Sequence, residues 1–174
     1  LSDFRLVNTS ITLKLGAYAK AANVKRFVFV SSIGVNGAET FGKPYTADDP
    51  VLPHSDYALS KYEAEMGLKE LFRDTDTELV ILRPPLIYGR QAPGNIGLLT
   101  KLIDKNYPIP LDNLANKRSF LSLHNFVNAI EKCINHKNAA NKTFLISDGV
   151  DLSTTELLKL LAILSNKDLR SASV

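Results

Sequence analysis

Apolar residues change their spacing several times along the chain, and each change marks an element. Phe4, Val7, Ile11, Leu15, Tyr18 and Ala22 recur every three or four positions, so Leu1 to Ala22 reads as an amphipathic helix. Phe27, Val28, Phe29 and Val30 then run together and end in Ser31-Ser32. A run without in–out alternation is what a central strand of a parallel sheet covered on both faces requires. A polar loop with Gly34, Gly37, Gly42, Pro44, Pro50 and Pro53 follows, and Asp56 stands where it can cap a helix reaching about Arg73. Leu79, Val80, Ile81 and Leu82 make a second wholly apolar strand, closed by Pro84-Pro85. Strand, loop, helix, strand is a crossover unit, and its two strands are expected to lie parallel.

From Gly89 the pattern loosens. A Gly/Pro/Asn-rich loop leads to a helix near Ile96 to Lys105 and an irregular stretch from Asn106 to Lys117. A short strand near Arg118 to Leu121, a helix near Leu123 to His136 and a strand at Thr143 to Ile146 come next. Ser153-Thr154-Thr155-Glu156 is a capping-box pattern and opens a last helix; residues after Ser165 are expected to fray. The fold class is α/β. Residues 1–88 form the sheet domain, and residues 89–174 are mostly a ligand-covering lobe.

Composition narrows the classes of function. The 174 residues are 45% hydrophobic and 22% charged, as in an ordinary globular domain. Scattered Lys and Arg, 21 against 18 Asp and Glu, make no nucleic-acid stripe. No apolar run is long enough to span a bilayer. The single cysteine, Cys133, has no internal disulfide partner, and a cytoplasmic location is expected. Cys133 and His136 lack the further ligands that a structural zinc needs, so no metal is expected.

Tyr57 and Lys61 are the first candidates for chemistry. Four residues apart on a helix, they share one face, and an ammonium beside a phenol favours the phenolate that a tyrosine base requires. Alone the spacing says little: with six Tyr and fourteen Lys, chance supplies about half a match. On that plainer reading Tyr57 half-packs on the sheet and Lys61 extends to solvent. Ser31-Ser32 changes the weighting, because the carboxyl end of a parallel strand is where ligands bind in open α/β sheets. Ser32 also has a plainer reading, as a serine that bonds the backbone of its own turn.

Taken in order, several segments resemble the extended short-chain dehydrogenase/reductases, in the NAD-dependent epimerase/dehydratase branch that acts on nucleotide sugars. They are Val7-Asn8; Lys25 to Ser32 with Val35 and Gly37; Tyr57-Ala58-Leu59-Ser60-Lys61; Leu82-Arg83-Pro84-Pro85-Leu86-Ile87-Tyr88-Gly89; and Arg118 with the strand after it. The resemblance implies a Rossmann-like parallel sheet, here its carboxyl-terminal half, with a small α/β substrate-binding lobe. It implies NAD as cofactor, NADP being the alternative. It also implies a nucleotide-sugar substrate and a homodimer built on the helices Leu1 to Ala22 and Asp56 to Arg73.

By the same resemblance Ser32 bonds the reacting sugar oxygen, Tyr57 is the acid/base, and Lys61 holds the nicotinamide ribose while lowering the Tyr57 pKa. Ser31, Pro84 and Pro85 join Tyr57 and Lys61 at the cofactor, Asn95 and Arg118 meet the substrate diphosphate, and Asn8 supports the helix. A UDP-hexose 4-epimerase-like reaction through a 4-keto intermediate is implied. A 4-ketoreductase or dehydratase of the same family, a hydroxysteroid dehydrogenase-like reductase and a non-catalytic cofactor sensor are the alternatives. Leu86 stands where many of these epimerases carry Asn, which leaves the sugar open. None of the nine glycines forms the cradle that receives a dinucleotide pyrophosphate. That half of the cofactor domain is expected to lie upstream, and the piece alone is expected to be inactive and to bind NAD poorly.

Overall fold

The computed structural model describes residues 1–89, 95–110, 116–169 and 171–172. Helix α1 (Ser2–Phe4) passes through a π-helical segment, Arg5–Ile11, into α2 (Thr12–Ala21). Strand β1 (Arg26–Val30) leads through a short 3-10 turn, Ile33–Val35, to α3 (Asp56–Leu71) and β2 (Glu78–Arg83). Then come β3 (Leu86–Tyr88), α4 (Asn95–Asp104), β4 (Ile109–Pro110), β5 (Arg118–Ser122) and α5 (Leu123–Asn135). The chain closes with β6 (Lys142–Leu145), β7 (Asp151–Leu152), α6 (Thr154–Leu164) and β8 (Ser171–Ala172). Two compact units result: Leu1–Pro85 with Phe126–Ile146, and Leu86–Asn125 with Ser147–Val174.

In the first unit β1, β2 and β6 form a parallel sheet in that order, with Phe29 opposite Ile81 and Leu82 opposite Phe144. The continuous apolar runs are explained by cover on both faces. Phe29, Leu79 and Ile81 pack with Ala64, Leu68 and Phe72 on the α3 side, while Val80 and Leu82, with Val28, meet Phe126, Ile130 and Cys133 on the α5 side. Arg26 closes the far end of α5 by donating from Nη1 to the carbonyls of Cys133, Ile134 and His136 at 2.7, 2.8 and 2.9 Å. The carbonyls of Cys133 and Ile134 belong to the last turn of α5, where a helix leaves its acceptors without intrahelical partners.

Helix α2 lies against α3 at two reciprocal glycines. A Cβ on Gly16 would stand 2.8 Å from Leu68 Cδ2, and one on Gly67 would stand 2.6 Å from Leu13 Cδ2. The apolar stripe legible in the sequence is not the packing face: Phe4, Val7, Ile11, Leu15 and Tyr18 are all exposed. The inner face is made by Asn8, Thr9, Leu13, Gly16 and Ala19.

In the second unit β5 pairs with β3 in parallel and with β7 antiparallel. Ile103, Ile109, Leu158 and Ala162 form a separate core. The capping box is present: Glu156 N donates to Ser153 Oγ at 3.1 Å and Ser153 N to Glu156 Oε2 at 2.7 Å. Four local expectations change, the first being that Ile109–Pro110, within the stretch expected to be irregular, is a strand. Ser55, not Asp56, caps α3, because Ser55 has the extended backbone of a cap and accepts from Ala58 N. Leu86–Tyr88 is a strand, and Ser171–Ala172, beyond the expected fraying point, pairs with β4. No helix among the described residues is long and apolar enough to cross a membrane.

Candidate active site

The carboxyl end of β1 is where the candidate groups of the first unit gather. Ser31 continues the ladder through its N–H to Leu82 O (2.7 Å), and Ile33 N donates to Pro84 O (3.0 Å). Pro84 is buried and Pro85 half-buried at the end of β2. Ser32 caps the following 3-10 turn, its Oγ accepting from Gly34 N at 3.2 Å. The turn-forming role open to this serine is therefore real, but it uses only one lone pair; the O–H donor and a second lone pair are left. Ser31 Oγ is buried and, among the described residues, is the one buried side-chain polar atom without a hydrogen-bond partner.

Helix α3 brings its first two turns to the same place. Tyr57 is 40% exposed, with its ring edge-on to Phe4 at 5.9 Å between centroids. One turn on, Lys61 Nζ donates to Val30 O at 3.1 Å and lies 5.0 Å from the Phe29 ring centroid and 5.9 Å from that of Tyr57. A Cβ on Gly34 would be 3.4 Å from both Ser32 Oγ and Ala58 Cβ, and 3.0 Å from His54 Cε1. The serine hydroxyl and the residue beside Tyr57 thus flank one point. His54 Nδ1 is 3.2 Å from Gly34 O.

Burial pushes the Tyr57 phenol up from its ordinary value and the Lys61 ammonium down. The lowered phenol pKa expected from the neighbouring amine is not found in this geometry, where desolvation of the partly buried ring raises it. The first helix supports the Tyr57 turn: Asn8 Nδ2 donates to Ser60 Oγ (3.1 Å), Thr9 Oγ1 to Ser60 O (2.8 Å) and Ser60 Oγ to Tyr57 O (2.8 Å). Asn8 and Thr9 lie in the π-helical segment, a distortion frequent beside functional sites.

Beneath these residues lies a polar cluster that the sequence reading missed. Arg83 donates to Glu65 through Nε (2.9 Å) and Nη2 (2.6 Å), and through Nη1 to Asn36 Oδ1 (2.9 Å). Asn36 Nδ2 donates in turn to Thr46 O (3.0 Å). Asn36, Glu65 and Arg83 are 1%, 0% and 2% exposed. One signal was available: Glu65 falls four residues after Lys61, on the face α3 turns to the sheet.

In the second unit, Arg118 is exposed at the start of β5, opposite Leu152. Asn95 opens α4, and its side chain and Gly94 lie outside the described residues. A further cluster gathers on Asp148. Its Oδ2 accepts from Tyr88 OH (2.7 Å) and Ser122 N (2.9 Å), and its Oδ1 from Asn125 Nδ2 (2.7 Å). No group of three or more potential metal ligands occurs among the described residues.

Comparison with known proteins places the chain in a family. The chain is 44% identical over 169 residues to UDP-glucose 4-epimerase of Vibrio cholerae, covering 96% of this chain and 52% of that protein. It is 28% identical over 154 residues to N-acetyl-alpha-D-glucosaminyl-diphospho-ditrans,octacis-undecaprenol 4-epimerase of Escherichia coli O157:H7, covering 87% of this chain and 46% of that one. The fold matches UDP-glucuronic acid 4-epimerase from Bacillus cereus in complex with NAD, with a TM-score of 0.85 at 19% identity over 94% of this chain and 54% of that one. The chain spans about half the length of the curated relatives it matches. The model of the NAD dependent epimerase/dehydratase family matches residues 2–147, and the chain belongs to that family.

Proposed function

We propose that this chain carries the reacting-group half of a nucleotide-sugar 4-epimerase that acts on a UDP-hexose with NAD. The observation that supports it best is the meeting of the Ser32 turn with the Tyr57–Lys61 turn of α3 at the carboxyl end of β1. The 44% identity to a UDP-glucose 4-epimerase supports the substrate class.

The residues suit the nicotinamide-ribose end of NAD. Ser31 Oγ is a buried hydroxyl awaiting a partner, which such sites rarely leave unsatisfied. Lys61 uses one of its three donors on Val30 O, so two remain for ribose hydroxyls. Pro84 and Pro85 add a rigid, partly apolar wall at the end of β2. When bound, NAD supplies the group that takes a hydride from the sugar carbon and gives it back.

Ser32 donates its O–H to the sugar oxygen and steadies the charge that develops there. Tyr57 takes the proton of the 4-hydroxyl as that carbon is oxidised and returns it after the 4-keto sugar has turned its other face. The positive charge of Lys61, 5.9 Å from the ring, favours the phenolate against the burial that disfavours it. Arg118 and Asn95 offer the diphosphate a planar fork and an amide. The exposed stripe Phe4, Val7, Ile11, Leu15 and Tyr18 is the surface for a homodimer, since a contiguous apolar face on a helix marks an interface.

The test is to incubate the full-length protein with UDP-glucose or UDP-galactose and follow interconversion by NMR. Epimerisation without net use of nicotinamide is expected, with turnover lowered about 100-fold or more in Tyr57→Phe and substrate binding nearly unchanged. One reduced nicotinamide consumed per product would make the protein a 4-ketoreductase. Equal loss of binding and turnover would make Tyr57 structural.

A further inference from the structure

Helix α3 is held to the sheet chiefly by apolar contacts, Ala64, Leu68 and Phe72 against Phe29, Leu79 and Ile81. Such contacts are strong but non-directional, and they do not by themselves fix how far the helix slides or rotates. Glu65 lies one turn after Lys61 and two turns after Tyr57, on the same side of α3. Its carboxylate meets Arg83 through two hydrogen bonds of 2.9 and 2.6 Å, a geometry with a strict direction. The third arm of that guanidinium bonds Asn36, which ends the 3-10 turn capped by Ser32 and holds Thr46 in the loop beyond. One guanidinium at the end of β2 therefore grips both arms of the site, the tyrosine helix and the serine turn.

We propose that the buried Glu65–Arg83 pair, with Asn36, positions the reacting groups: it sets the register of α3 and of the Ser32 turn so that Tyr57, Lys61 and Ser32 converge at the end of β1. Stability does not account for the pair. A buried ion pair contributes little net stability, and its replacement by apolar side chains of similar size is often neutral or favourable. The proposal rests on the roles given to Tyr57, Lys61 and Ser32 above.

The test uses the full-length protein with the double substitution Glu65→Met/Arg83→Met. The expected result is an unfolding midpoint lowered by no more than the loss of the donor to Asn36 Oδ1, kcat lowered at least tenfold with a smaller change in KM, and a displaced titration of the Tyr57 phenol. That titration is read in the ligand-free protein by absorbance, as the difference from Tyr57→Phe. Arg83→Lys, which keeps the charge and loses the fork, is expected to share the loss of kcat. Wild-type kcat and phenol titration in the double variant would overturn the proposal. So would failure of the double variant to fold, or a loss of kcat that only tracks a loss of stability. If Tyr57→Phe itself kept full turnover, the role of Tyr57 would fall, while the phenol titration would still decide whether the pair positions the helix.

Discussion

The Lys61 amine donates a 3.1 Å hydrogen bond to the carbonyl of Val30, tying the second turn of α3 to the last residue of β1. An ammonium half-buried over the Phe29 ring is held at a cost, and burial lowers its pKa. A basic group whose folded pKa lies below its unfolded value weakens the fold most below the folded pKa, and that penalty fades as pH rises towards the ordinary lysine value. Lys61→Met is therefore expected to match or exceed the wild-type unfolding midpoint at pH 7, with the advantage shrinking towards pH 10. Turnover is expected to fall about 100-fold or more. Denaturant titrations at several pH values, alongside kcat, check both halves.

The two glycines between α2 and α3 are expected to respond differently to a methyl group. Gly16→Ala drives its Cβ towards Leu68, which is fully buried and has no room to move. Overpacking of this kind costs about 1–3 kcal/mol, more than the roughly 1 kcal/mol that alanine gains in a helix. Gly67→Ala meets Leu13 at Cδ2, Cδ1 and Cγ, but that side chain is only half-buried and so less confined than Leu68. Urea midpoints are expected to drop clearly for Gly16→Ala and to change little for Gly67→Ala.

Burial raises the pKa of Asp148, but hydrogen bonds from Asn125, Tyr88 and Ser122 together outweigh it and hold the carboxyl below its ordinary value. A carboxylate with a depressed folded pKa contributes stability above its unfolded value of about 4, and that contribution is lost as pH falls through the folded value. Asp148→Asn is expected to cost about 1 kcal/mol at pH 7, with the gap to wild type closing in acid. The same change removes the bond that chiefly raises the Tyr88 phenol, so the Tyr88 titration is expected to move down. A stability gap independent of pH would contradict this.

Charge on the outer face of the first helix is expected to separate protomers. Leu6 and Tyr18 are 60% and 61% exposed, so glutamate at both positions leaves the core untouched. Light scattering is expected to show the wild-type mass halved in Leu6→Glu/Tyr18→Glu with an unchanged circular dichroism spectrum. A monomeric wild type would remove the dimer from the proposal.

Periodicity located the first helix but not its inner face, because the side that packs on α3 uses Gly16, Asn8 and Thr9, residues that carry no hydrophobic signal. The strands β1 and β2 were legible because cover on both faces demands an unbroken apolar run. β3, three residues long after two prolines, offered no run to read. Ser32, Tyr57 and Lys61 stood out because a strand end and a helix start carry their chemistry in adjacent segments. Glu65 and Arg83 did not: a charge in the middle of a helix or at the end of a strand usually reads as solvent-facing, and although the spacing from Lys61 puts Glu65 on the sheet side, its partner is visible only in three dimensions. Ser55 and Asp56 are equally good caps by composition, and backbone geometry chooses between them.

β6 reaches the flank of β2 only after the whole of Leu86–Asn125 has been made. On the ribosome, β1, α3 and β2 emerge well before β6, and one side of β2 stays bare while everything from Pro84 to Asn141 is translated. Through that interval the bare flank of an apolar strand is open to pairing with another chain.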